Sequence, residues 1–201
     1  MSVLTVKDLE KLQAKLSEEH LDYQMELVDG KIIVMGPSDV YASEVGVRLI
    51  SFLWNWVDPR RLGRVFDSSG GFILPNTNLT APDVSFVCAD RLRRSPRYFA
   101  QMLPDLAVEI KSQSDRIKPL EEKILKFLEL GTQVGMLIDP DEETVTIYYR
   151  DRRSKVVLGG DAIAIPELLP GWEVPVESPR LPCSSEHNKF SSDTSSRISQ
   201  Y

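Results

Sequence analysis

Four features of the chain combine residue types and spacings that could do chemistry. Asp83 opens an otherwise apolar run in Ala81-Pro82-Asp83-Val84, and Glu109 and Lys111 alternate with an isoleucine in Val108-Glu109-Ile110-Lys111. In a strand Glu109 and Lys111 point to one face, about 7 Å apart along the chain. A carboxylate and an ammonium so placed can share a ligand, the first holding a cation and the second touching the attacking water. Glu44 lies at the edge of the apolar stripe of a long predicted helix. Lys123 is flanked on its own helix by Leu120 and Phe127, which sets it nearer the buried face than Lys126.

Hydrolysis of a phosphodiester is the chemistry these groups suit. It needs a divalent cation to neutralise the phosphate and acidify water. Hard cations such as Mg²⁺ take oxygen ligands, often only one or two of them carboxylates, and Asp83 and Glu109 supply those. A lysine beside the attacking water orients it and stabilises charge in the transition state. Solvated strand ends carry acids and lysines too, and Pro-Asp is a common turn dipeptide. The order of the residues and the 26-residue step from Asp83 to Glu109 permit the nuclease reading without deciding it.

The elements that must position these groups follow from pattern. Thr5 with Asp8 three residues on marks a helix start, and Leu9, Leu12 and Leu16 continue it at helical spacing. Asp29-Gly30 between the apolar runs 23–28 and 31–35 predicts a hairpin. Residues 39–57 predict a long helix with Val45, Leu49, Phe52, Leu53 and Trp56 on one stripe, ended by Pro59 and Gly63. Trp54, Trp56 and Trp172 read as core. Short strands are predicted at 63–66, 71–74 and 83–88, and another at 105–111 that begins apolar and turns polar. A helix over 119–130 follows, capped by Ser114 or Asp115 and closed by Gly131. The last predicted pair of strands covers 134–139 and 144–149. A strand, a helix of some 13 residues and another strand, preceded by a helix and a meander, predict an α/β fold: a mixed sheet flanked by helices.

Composition sets the limits. A 201-residue chain fits one domain, and a core of that size buries roughly 70% of the unfolded surface without metal or disulfide. The only cysteines are Cys88 and Cys183 and the only histidines His20 and His187, which excludes a Cys/His zinc site and a disulfide framework. Histidine-based nucleophilic catalysis would rest on His20 alone, so carboxylates and lysines must carry any catalysis. The net charge of −6 means that nucleic acid must be met by a local basic patch. Arg91, Arg93, Arg94 and Arg97, with Arg60, Arg61 and Arg64, are the candidates, and a solvated basic loop fits them equally. No apolar run approaches 18 residues and no signal-peptide core is present, so the expected setting is cytoplasmic, with no membrane partner. From Ser178 onward eight of 24 residues are serine, so 1–177 is expected to be the domain and 178–201 a disordered tail.

Read together, these motifs carry a resemblance. Pro82-Asp83 with Glu109-Ile110-Lys111 resembles the PD-(D/E)xK nuclease signature, and the chain more closely resembles the Uma2 family, a bacterial group described as restriction endonucleases. The shared stretches are 26–38, from Glu26-Leu27-Val28-Asp29-Gly30 to Gly36-Pro37-Ser38, then Pro82 to Val87, Val108 to Ser112, Glu122-Lys123 with Phe127 to Gly131, Leu137 to Pro140, and Leu168 to Glu173. The resemblance implies a restriction-endonuclease-like core and Mg²⁺- or Mn²⁺-dependent cleavage of DNA. By analogy Asp83 and Glu109 are metal ligands, the Ile110 carbonyl a third, and Lys111 the catalytic lysine. Glu44 corresponds to a helical acid near the metal, and Lys123 to a lysine close to the site. Many members have a histidine shortly after the Met-x-Pro segment; Tyr41-Ala42 stands there, so no histidine role carries over. A homodimer would supply the two sites that cutting both strands needs. The competing reading is a catalytically silent nucleic-acid-binding or accessory protein on the same fold.

Overall fold

The computed structural model describes residues 3–176. Helix α1 (Val6–Glu18) starts where Thr5 and Asp8 cap one another: the Asp8 N–H donates to the Thr5 hydroxyl and the Thr5 N–H to the Asp8 carboxylate. The hairpin of β1 (Gln24–Val28) and β2 (Lys31–Met35) turns through Asp29 and Gly30, both with positive φ (48° and 71°), as the Asp-Gly dipeptide predicts. This hairpin joins β5 (Leu79–Thr80) and β4 (Phe72–Ile73) in a small antiparallel sheet of order β2-β1-β5-β4.

The main sheet has the order β10-β9-β8-β7-β6-β3, made of β3 (Gly63–Asp67), β6 (Val84–Cys88), β7 (Leu106–Ile110), β8 (Val134–Asp139), β9 (Thr144–Tyr149) and β10 (Ser154–Leu158). Strands β7 and β8 are parallel and joined by α3 (Ile117–Leu130); the other pairs are antiparallel. A small pair, β11 (Ala162–Ala164) with β12 (Glu173–Pro175), closes the described chain. The mixed sheet flanked by helices is the fold class the sequence predicts.

The two faces of β7 differ. Leu106, Val108 and Ile110 enter the largest apolar cluster, with Leu49, Leu53 and Val57 of α2 (Val40–Arg60). Ala107 packs with Phe127 of α3 on the other face. Both helices approach closely through glycines. A Cβ at Gly46 would stand 3.4 Å from the Ile110 side chain, and one at Gly135 would run into Ile124.

Four details depart from the sequence reading. Helix α2 passes through Pro59 to Arg60, giving up one N–H bond in its last turn; Arg61, in the left-handed region at φ 54°, ends it. Its buried face is Ala42, Gly46, Leu49, Leu53 and Val57, while Phe52 and Trp54 are exposed, because close packing on the sheet favours small residues. Neither Ser114 nor Asp115 caps α3: the N-cap is Arg116, without a side-chain bond, and Asp115 accepts from Ser112 instead. Strands β5, β10, β11 and β12 have no counterpart in the sequence reading. The expected tail, 178–201, lies outside the described residues.

Candidate active site

Strands β6 and β7 pair with Val84 opposite Val108, so Asp83 and Glu109 fall at adjoining positions where β6 begins and β7 ends. Asp83 Oδ2 accepts the Ile110 N–H at 2.7 Å, extending the pairing by a side chain. Glu109 leaves β7 on the α3 face and is only 3% exposed. Its Oε1 lies 3.0 Å from Lys123 Nζ, an ion pair that is the one contact of that buried oxygen.

Lys123 has a second partner. Its Nζ is 3.1 Å from Oε1 of Glu26, which also accepts the Ala81 N–H at 2.8 Å. Glu26 stands at the middle of β1, 5% exposed, on the face opposite the Met25–Leu27 packing around Leu9. One turn of α3 on each side, Leu120 and Phe127 turn inward, and Lys123 follows them as predicted; its side chain is 24% exposed against 51% for Lys126. Between the β1–β2 hairpin and α3 a cleft of about 380 Å³ reaches Glu26 and Lys123 from solvent.

The electrostatics follow from burying Glu26 and Glu109 around one ammonium, with the half-buried Asp83 beside Glu109. Burial pushes the Glu109 carboxyl up to about 8, with Asp83 and Glu26 adding to the rise and Lys123 opposing it. Burial raises Asp83 as well, against the Ile110 N–H and Lys123. Burial acts to lower Lys123, but Glu109 and Glu26 outweigh it and hold the ammonium above the ordinary lysine range. Lys123 is therefore charged, and Glu26 accompanies it whether or not Glu109 is ionised.

Lys111 lies elsewhere. Its N–H donates to the Ile138 carbonyl at 2.9 Å, continuing the parallel pairing with β8. Its ammonium is 3.6 Å from Asp139 Oδ1 and bonded to Asp141 Oδ2, and the Asp141 contact raises its pKa first of all. Asp139 also accepts the N–H groups of Asp141 and Glu142, so Lys111 is docked on the β8–β9 turn. Asp39, the N-cap of α2, faces Lys111 and accepts from Ala42 and Gln113, bonds that lower its pKa.

Of the predicted site residues, the structure brings together Asp83, Glu109, Ile110 and Lys123. Lys111 pairs with Asp139 and Asp141, and Glu44 with Arg48 at 2.8 Å. Glu26 reads from sequence as most simply structural, or as a hairpin carboxylate that could line the cleft, and the structure places it on that cleft beside Lys123. Among the candidate phosphate contacts, Arg91 is engaged by Asp105 and the Leu103 carbonyl, Arg64 by the Arg93 carbonyl, and Arg60 lies over Trp56.

Among the described residues no three His, Cys, Asp or Glu side chains converge on one point. The donors that fit a cation are the all-oxygen set of Asp83, Glu109 and backbone carbonyl, in which the buried Glu109 Oε1 has only the Lys123 ammonium as a partner. A hard divalent ion suits it.

Mixed sheet, carboxylates at adjacent strand ends and a lysine between helix and sheet define a mixed α/β protein. The profile of the Uma2 family, described as "Putative restriction endonuclease", matches residues 6–177, and the chain belongs to that family. Its fold is similar to the crystal structure of a "putative nuclease belonging to DUF820" from Anabaena variabilis ATCC 29413, with a TM-score of 0.71 and 24% identity over 87% of this chain and 96% of that one. No curated protein matches the chain. No helix among the described residues is long and apolar enough to cross a membrane.

Proposed function

We propose that the protein is a metal-dependent DNA endonuclease, working in the cytoplasm as a single domain over 1–177. The observation that carries the reading is the juxtaposition of two carboxylates, half-buried Asp83 and buried Glu109, at adjoining positions of neighbouring strands. A divalent cation, Mg²⁺ or Mn²⁺, supplies charge neutralisation at the phosphate and a more acidic attacking water. Asp83, Glu109 and the Ile110 carbonyl hold it. The Asp83–Ile110 bond fixes the first carboxylate relative to the strand that bears the second. Lys111 orients the water, exchanging its exposed contact with Asp141 for the substrate as DNA arrives. Lys123 adds positive charge behind Glu109. Glu44, two residues before the tight α2–β7 contact at Gly46, lends a carboxylate to the outer rim. A homodimer would bring two such sites to the two strands.

The test is incubation of purified protein with supercoiled plasmid and Mn²⁺ or Mg²⁺. Nicked or linear product, absent with EDTA and absent for Asp83→Ala, is the expected outcome. One observation favours a nucleic-acid-binding protein without turnover: Lys111 is already engaged by two aspartates. Protein that binds Mn²⁺ yet leaves double-stranded, single-stranded and branched DNA intact would establish that reading instead.

A further inference from the structure

Two carboxylates, Glu26 and Glu109, hold the single ammonium of Lys123, and Asp83 adjoins Glu109 at the neighbouring strand position. When all are ionised the group carries a deficit of two positive charges, which a divalent ion would close. Lys123 nevertheless stands within ion-pair distance of Glu109, 3.0 Å from its Oε1. A cation that takes Glu109 must therefore compete with Lys123 for it. An ammonium stranded by that exchange would be costly to leave unpaired. Here it would not be stranded: Glu26 is 3.1 Å away and is itself pinned by the Ala81 N–H, and the adjoining cleft admits water.

We propose that Lys123 is the resident counter-ion of the site: without a divalent ion its ammonium holds Glu109, and on metal loading Glu109 passes to the cation while Glu26 retains the ammonium. The inference rests on the reading that Asp83 and Glu109 hold a divalent cation, and it assigns Glu26 a role as the anchor of Lys123 and not as a metal ligand. Two consequences are opposite in sign. Removing the competitor should strengthen metal binding, and weakening the anchor should bind Lys123 more firmly to Glu109 and weaken it.

The experiment is calorimetric titration of Mn²⁺ into the full chain at fixed pH and ionic strength, with melting curves on the same samples. Lys123→Met removes the ammonium and keeps the apolar stem that packs by Leu120 and Phe127. It should bind Mn²⁺ more tightly than wild type, on the order of tenfold. Its melting temperature should fall without metal and recover by a larger metal-induced shift. Glu26→Gln should bind Mn²⁺ more weakly, and most of that loss should disappear in the Glu26→Gln/Lys123→Met double variant. Tighter binding absent in Lys123→Met, or a Glu26→Gln loss undiminished when Lys123 is absent, overturns the counter-ion role. If Lys123→Met does not fold, Glu26→Gln alone decides: binding equal to or tighter than wild type overturns it. Wild-type protein that binds Mn²⁺ no better than Glu109→Ala would instead overturn the nuclease reading on which the inference stands.

Discussion

Lys123 and Lys111 each pair with two carboxylates and each keep a half-buried side chain, but their partners differ. Those of Lys123 are Glu26 and Glu109, with side chains 6% and 4% exposed, contributed by two different sheets. Those of Lys111 are Asp139, 10% exposed, and Asp141, 57% exposed, both at one turn. The first lysine is locked by tertiary structure; the second is held by a local turn that solvent can rearrange. Exposed pairs contribute little to stability, typically 0–1 kcal/mol, whereas breaking a buried pair leaves an uncompensated charge. One lysine thus has two buried partners, while the other has one, Asp139, and can exchange only its exposed contact with Asp141.

The largest test of that contrast is at the shared carboxylate. Glu109→Ala should lose Mn²⁺ binding in calorimetry and plasmid cleavage together. Lys111→Ala should keep Mn²⁺ binding and lose turnover by on the order of 10²–10³-fold, the usual effect of one lost transition-state contact. Cleavage that persists in both would place the reaction at another site.

A smaller effect is expected from the mounting of α3. Gly135→Ala drives a methyl into Ile124, one residue from Lys123, and should cost about 1–3 kcal/mol in urea unfolding. It should weaken Mn²⁺ binding while the Lys111 pairing is unaffected.

The pH dependence separates the regions further. The Glu109 pKa rises on folding from the ordinary carboxylate value to about 8. Between those values the folded state binds the extra proton, so this contribution is complete below the unfolded value and is lost as pH climbs through about 8. Without metal, stability should therefore fall over that window by at most about 1.4 kcal/mol per pH unit, and Glu109→Gln should flatten the slope.

Smallest is Asp141→Asn, which loosens Lys111. It should change stability by less than about 1 kcal/mol, as solvated pairs do. Cleavage should be preserved or modestly faster, as read from initial plasmid-nicking rates; a loss as deep as that of Lys111→Ala would show that Asp141 is part of the working site.

The parts of this arrangement that sequence makes legible are those set by neighbours in the chain. The Asp29-Gly30 turn, the strand carrying Glu109 and the inward tilt of Lys123 between Leu120 and Phe127 each need only local pattern. The partner of Lys111 depends on the parallel register of β7 and β8, which places Lys111 beside Asp139 and no spacing rule reveals. Glu26 reads as the polar position of an alternating hairpin, because the helix covering that face is 97 residues away. Two-residue strands such as β5 are too short to show a period. On α2 the large apolar side chains suggest the buried stripe, but a helix pressed against a sheet buries Ala42 and Gly46 and leaves Phe52 outside.

The reach from Glu26 to Lys123 also orders events in time. During synthesis, at roughly 5–20 residues per second, the hairpin emerges first and waits for α3 before Lys123 has anything to join. Asp83 and Glu109 leave the ribosome in between, without their lysine, and contacts so distant in sequence close late in folding. A half-made chain thus contains both proposed metal ligands but not the assembled site.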